Sequence, residues 1–186
     1  MSDTQLHMRR DLEDLPVLEV PDGYHLRTVR REDLDGWTSL LNQNGELGEW
    51  DRERSGRLFA DGSPMPLSGA FVVEASGALA ATAQLHLHAD DKYAPWPELG
   101  WVAALPEYRG RGLGRLVCLA VLHHAAELGH PGIFLMTDDH RLPAIRTYLG
   151  LGFQPWMYDE TAPGRWGEVL KLLDAGAQAS GGQGVQ

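Results

Sequence analysis

The chain has 186 residues, enough for one domain that buries about 70% of its unfolded surface on folding. Its 16 basic and 26 acidic residues leave a formal charge of −10, the wrong sign for a protein that binds nucleic acid through phosphate neutralisation. A single cysteine, Cys118, excludes a disulfide framework and a cysteine-rich zinc site, and no run of about 18 apolar residues predicts a membrane-spanning helix.

Residues 1–16 read as a polar N-terminal extension, partly disordered, whose acidic residues do not suit a signal peptide. Residues 17–173 form the predicted domain. Tyr24 to Arg30 alternates like a strand, and Glu32 to Leu41 places Leu34, Trp37, Leu40 and Leu41 on one helical face. Trp50 to Phe59 is a weaker helix. Ala70 to Ala75 and Leu79 to His88 flank Ser76-Gly77, a hairpin turn signal. Along the second of these strands Thr82, Gln84, His86 and His88 share one face. Leu99 to Leu105 is apolar on both faces and reads as a central, doubly covered strand. A helix follows, with Leu113, Leu116, Val117, Ala120 and His124 at helical spacing and Gly129 as its stop. Ile133 to Thr137 is a buried strand, Pro143 opens a further helix, and Phe153 starts a last strand. Trp166, Val169, Leu170 and Leu173 favour a final helix. Residues 174–186 are rich in Gly, Ala and Gln and read as a flexible tail. The pattern predicts an α/β fold, with an antiparallel hairpin first and a strand–helix–strand unit with parallel pairing after it.

The segment Leu105 to Leu116, LPEYRGRGLGRL, carries most information. A buried strand gives way to Gly110, Gly112 and Gly114, and then to an apolar helix. Glycines let a ligand approach the backbone, and the free N–H groups of a helix start attract an anion. Arg109, Arg111 and Arg115 add positive charge locally. The pattern lacks the Gly-Lys-Ser/Thr ending of a P-loop, and Arg115 stands where the dinucleotide fingerprint requires its third glycine. A tight turn with solvated arginines is the bland alternative. The segment Asp138 to Phe153 follows the next parallel strand, so its helix and the glycine loop are expected to flank one crevice at the C-terminal sheet edge.

Together these segments resemble the GNAT superfamily of acetyl-CoA-dependent N-acetyltransferases. The resemblance covers Tyr24 to Phe153. It rests on Arg109-x-x-Gly112-x-Gly114 and, later, on Ala144, Tyr148 and Gly152-Phe153. It implies a mixed, mostly antiparallel sheet with a central splayed pair of parallel strands and flanking helices. It further implies that backbone N–H groups of Gly110, Arg111, Gly112, Leu113, Gly114 and Arg115 hold the coenzyme A pyrophosphate. Backbone groups of Ala103 and Leu105 would pair with the pantetheine arm, and Tyr148 would protonate the leaving thiolate. Glu98, eleven residues before Arg109, matches the catalytic glutamate of histone-type members and is the candidate general base; a solvated residue at a strand start is the alternative. Many members carry asparagine where this chain has Arg141. An arginine there would reach a coenzyme A phosphate, or pair with Asp138 or Asp139.

His86 and His88 have metal-ligand spacing, but no third ligand is identifiable, so no metal is expected; the face they share with Gln84 suits an acceptor pocket instead. Cys118 reads as buried and inert, and Trp37, Trp50 and Trp96 as packing anchors, with Trp50 secondarily near the acceptor. The expected function is transfer of an acetyl group from acetyl-CoA to a primary amine by direct attack in a ternary complex. A non-catalytic acyl-CoA-binding module is the alternative, and a nucleotide-binding protein a third reading. The expected partner is a small-molecule or peptide amine, with no nucleic acid and no membrane, in the cytoplasm; a homodimer is compatible with the chain.

Overall fold

The computed structural model describes residues 5–88 and 95–181. The chain divides into two compact units: residues 11–134, and a smaller one of residues 1–10 with 135–186.

The larger unit holds β2 (His25–Thr28), α1 (Leu34–Asn44), α2 (Arg52–Leu58), β3 (Ala70–Ala75), β4 (Ala78–His86), β5 (Glu98–Ala104), α3 (Leu113–Glu127) and the start of β6 (Gly132–Thr137). Its strands hydrogen-bond in the order β2-β3-β4-β5-β6, antiparallel except for the last pair. Ser76 (φ 50°) and Gly77 (φ 80°) both take left-handed geometry, which suits the two-residue turn joining β3 to β4. β5 and β6 run parallel and share the register pair Glu98↔Phe134, beside a bond from the Phe134 N–H to the Pro97 carbonyl (3.0 Å). Among the described residues this is their one register pair. At that start, the Trp96 indole lies against Gly132, where a β-carbon would come within 2.2 Å of the ring.

β4 and β5 fall out of step between Thr82 and Gln84, where Trp101 and Val102 oppose Ala83 alone. This is a β-bulge, and Trp101 sits at φ 51° within it. The Trp101 edge packs on Trp50 (4.7 Å between centroids), Trp50 on Trp37 (5.6 Å) and Trp37 on Phe59 (5.4 Å), forming an aromatic core with Leu40, Leu41 and Val72. Trp50 is therefore a core residue, its ring capped by the Arg54 guanidinium at 3.9 Å. The side of β4 read from its residues as polar is also buried: Thr82 and Gln84 have no exposed surface. Thr82 is accommodated because its hydroxyl accepts from the Trp37 indole N–H (3.0 Å) and donates to the Phe71 carbonyl (2.9 Å).

The smaller unit pairs β1 (Leu6–Asp11) antiparallel with β7 (Gln154–Trp156), beside the end of β6, and adds α4 (Leu142–Gly150) and α5 (Ala162–Gly181). Two expectations are corrected here. From Leu6 the N-terminal segment is not a disordered extension: Leu6–Asp11 forms β1, with Leu6, His7 and Met8 buried. Within the larger unit Leu12 donates its N–H to the Pro131 carbonyl, and His123 reaches the Pro16 carbonyl (2.9 Å). The tail expected from Asp174 is helical as far as Gly181. Alanine is the best helix former, and these residues propagate a helix already nucleated by the buried Trp166, Val169 and Leu173. Residues 182–186 lie outside the described ones.

Candidate active site

Glu98 opens β5 opposite His86 on β4. Its side chain is 13% exposed, and its Oε2 accepts a hydrogen bond from His88 Nε2–H at 2.7 Å; a carboxylate only accepts, so that nitrogen carries the hydrogen. His86 Nδ1 lies 3.5 Å from the same oxygen, and the two imidazoles overlap with centroids 4.1 Å apart. The His88 ring also lies against Phe134, at 5.5 Å. Glu98 Oε1 faces the open α-carbon of Gly100. Opposite Gly100 stands Gln84, fully buried, with neither its amide nitrogen nor its amide oxygen hydrogen-bonded among the described residues. A buried amide left in this state signals a missing partner. The solvated-residue reading of Glu98 thus gives way to a partly buried carboxylate in a polar cluster. Asp90 and Asp91, which follow the histidines in sequence, lie outside the described residues.

The glycine loop joins β5 to α3. A short 3-10 turn, Pro106–Tyr108, ends at Arg109, and Gly112 is the N-cap of α3. Gly110 (φ 74°) and Gly112 (φ 78°) take left-handed conformations that side chains rarely adopt. Gly112 has no side chain to cap the helix, and the first helical bond runs from the Leu116 N–H back to the Gly112 carbonyl (3.0 Å). Among the described residues, no turn or loop bond is donated by the backbone N–H groups of residues 110–115. Leu113 turns its side chain into the core, while a β-carbon at Gly114 would meet open space. Two left-handed glycines, one on either side of Arg111, and an uncapped helix start make an anion cradle.

The arginines divide by role. Arg109 Nη2 donates to the Asn44 carbonyl (2.7 Å) at the C-terminus of α1, so its side chain ties the loop to that helix. Arg111 is exposed, with its guanidinium 5.2 Å from the Tyr108 ring and near the Tyr24 hydroxyl; Arg115 is exposed as well. Ala103 is buried. Leu105 donates its N–H to the Ala80 carbonyl (2.9 Å) and accepts from the Tyr108 N–H (3.0 Å), which leaves it no free donor for a ligand.

In the smaller unit Tyr148 is 3% exposed and packs edge-on to Phe153 at 6.1 Å. Arg141 occupies the N-cap position of α4. Arg165 Nε donates to Asp139 at 2.9 Å, and that guanidinium holds the Asp139 carboxyl below its ordinary range. Cys118 is buried, and burial alone pushes its thiol up to about 12, which removes it as a nucleophile.

The fold and this site are those of an α/β domain with an anion-binding helix start and a partly buried carboxylate at the head of the preceding strand. Residues 29–153 match the model of the acetyltransferase (GNAT) family, and the chain belongs to that family. It is 35% identical over 163 residues to the mycothiol acetyltransferase of Thermomonospora curvata, covering 83% of this chain and 52% of that protein. It is 36% identical over 159 residues to the mycothiol acetyltransferase of Nocardia farcinica, covering 80% of this chain and 52% of that one. The chain spans about half the length of these curated relatives. Among solved structures, the fold is similar to a GCN5-related N-acetyltransferase from Sphaerobacter thermophilus (TM-score 0.67, 19% identity, 82% of this chain and 49% of that chain). A second, from Kribbella flavida, gives a TM-score of 0.58 at 23% identity over 82% of this chain and 55% of that chain. No helix among the described residues is long and apolar enough to cross a membrane.

Proposed function

We propose that this chain transfers an acetyl group from acetyl-CoA to a primary amine by direct attack. The observation that carries the proposal is the cradle at residues 110–115, whose N–H groups donate no turn or loop bond among the described residues. A diphosphate suits such donors, and Arg111 and Arg115 offer local charge on an acidic protein. Bound acetyl-CoA supplies the thioester carbonyl that the amine nitrogen attacks.

The amine arrives as an ammonium, which has no lone pair. Glu98 takes one proton at Oε1, the oxygen not held by His88. The C–N bond then forms, the C–S bond breaks, and the nitrogen loses its second proton. Tyr148, on the family motif, gives its phenolic proton to the departing thiolate and is reprotonated from solvent. The products are the acetamide, coenzyme A as a thiol, and one proton. His86 and His88, both partly exposed, line the acceptor side, and the buried Gln84 amide, without a hydrogen bond among the described residues, shares their side of β4. The similarity to mycothiol acetyltransferases makes the amine precursor of mycothiol the first acceptor to test.

The test is free-thiol release with an amine panel, alongside calorimetry with acetyl-CoA. Glu98→Gln is expected to lower kcat by about 10²–10⁴-fold while the acetyl-CoA Kd changes less than about twofold. Unchanged kcat removes Glu98 as the base. Acetyl-CoA binding without thiol release across the whole panel overturns the transferase reading in favour of a binding module.

A further inference from the structure

We infer that His86, His88 and Glu98 form a site for one divalent transition-metal ion of the zinc class, and that its occupancy halts acetyl transfer. The binding half of this inference stands alone. The inhibitory half rests on Glu98 being the base proposed above.

The three side chains each offer one donor atom, and these atoms lie within 4.8 Å of one another. Zinc binds imidazole nitrogen and carboxylate oxygen at about 2.0–2.2 Å, so tetrahedral neighbours stand about 3.3–3.5 Å apart. The Glu98 oxygen is 2.7 Å from His88 Nε2 and 3.5 Å from His86 Nδ1, values that straddle that spacing. An ion enters once the hydrogen bond from His88 opens by roughly 0.6–0.8 Å and its Nε2 gives up the hydrogen. β4 and β5 fix the arrangement: His86 and Glu98 are direct cross-strand partners, and Phe134 backs the His88 ring. The side chains are 25%, 15% and 13% exposed for His86, His88 and Glu98, so an ion has a way in.

The donor set selects the metal. Two imidazoles and one carboxylate suit zinc and its neighbours, whereas magnesium and calcium want oxygen ligands. Three protein ligands leave the fourth position to water. Ligation at Oε2 draws negative charge from the carboxylate, so that Oε1 loses the basicity needed to accept the ammonium proton. The glycine loop contributes no ligand, so acetyl-CoA binding is untouched.

The experiment uses the full chain stripped of metal and titrated with Zn²⁺ in competition with a chromophoric chelator; Co²⁺ is followed in parallel by its visible absorption. One Zn²⁺ per chain is expected, with intense tetrahedral-type cobalt bands and no competition from millimolar Mg²⁺. His86→Gln and His88→Gln are each expected to weaken binding by at least about tenfold. His25→Gln, in the exposed His25–Glu74 pair (3.3 Å), is expected to leave it unchanged. If His88→Gln fails to fold, His86→Gln and the cobalt spectrum decide. Absence of one-to-one binding, or binding unaltered in His86→Gln, overturns the site. In thiol-release assays, Zn²⁺ at saturation is expected to abolish turnover and a chelator to restore it, with acetyl-CoA affinity constant. Full turnover at saturation overturns the inhibitory role. A chain that binds zinc but never releases thiol separates the two readings: the transferase proposal fails and the site stands.

Discussion

Arg27 shows how a charged side chain tolerates near-burial. Its guanidinium donates to both carboxylate oxygens of Asp33, at 2.6 and 2.9 Å, and to Glu74. Asp33 also accepts the Arg30 N–H at 2.7 Å. The Arg27 bond holds the Asp33 carboxyl below its ordinary value of 3.8. A depressed carboxylate stabilises the fold above the unfolded value, and that contribution fades as pH falls through the folded one. Asp33→Asn is therefore expected to cost about 2 kcal/mol at pH 7. In urea melts the gap from the parent is expected to narrow below about pH 4; a gap independent of pH would remove the ion pair as its source. None of this partnership was legible in the sequence, because Arg27, Asp33 and Glu74 meet only once β2, β3 and the start of α1 are assembled. The same holds for Glu98, whose eleven-residue offset from Arg109 was readable while its two histidine neighbours were not. The β4–β5 register, which pairs His86 with Glu98, brings them together.

Elements with strong periodicity were legible almost to the residue: β3, α3 and α4 lie where the apolar spacing and the Gly129 and Pro143 signals put them. β1 was not, although its Leu-His-Met-Arg alternation is a strand pattern, because the acidic residues around it outweighed six residues of signal. The start of α3 allows a test in which stability and binding move in opposite directions. A side chain at Gly114 meets open space within the protein, and a carboxylate in the first helical turn favours the helix by about 0.3–1 kcal/mol. Gly114→Asp is thus expected to raise Tm slightly while weakening acetyl-CoA at least about tenfold, since it sets an anion at the helix start proposed to hold the diphosphate. Calorimetry beside thermal melts reads both. Affinity equal to the parent would show that this helix start does not hold the cofactor.

At the scale of the whole molecule, the charge of −10 describes the surface in general and carried no information about the cradle. Three glycines and their neighbouring arginines did. What no single sequence shows is how the two strands around the site stay in phase. Opposed residues on β4 and β5 point to one side of the sheet, so Glu98 and Gly100 share a side with His86 and Gln84, and Ala103 shares it with Thr82. Counting by twos from Glu98 never reaches Ala103. The surplus residue at Trp101–Val102 changes odd to even, and it alone puts the carboxylate and the later part of β5 on a common face. Deleting Val102 is expected to give a protein that folds, by circular dichroism, yet releases no thiol; retained turnover would show that parity along β5 is not what orients Glu98. The tolerance of this strand to mutation is therefore lopsided: its letters can change, but its length between residues 98 and 103 cannot.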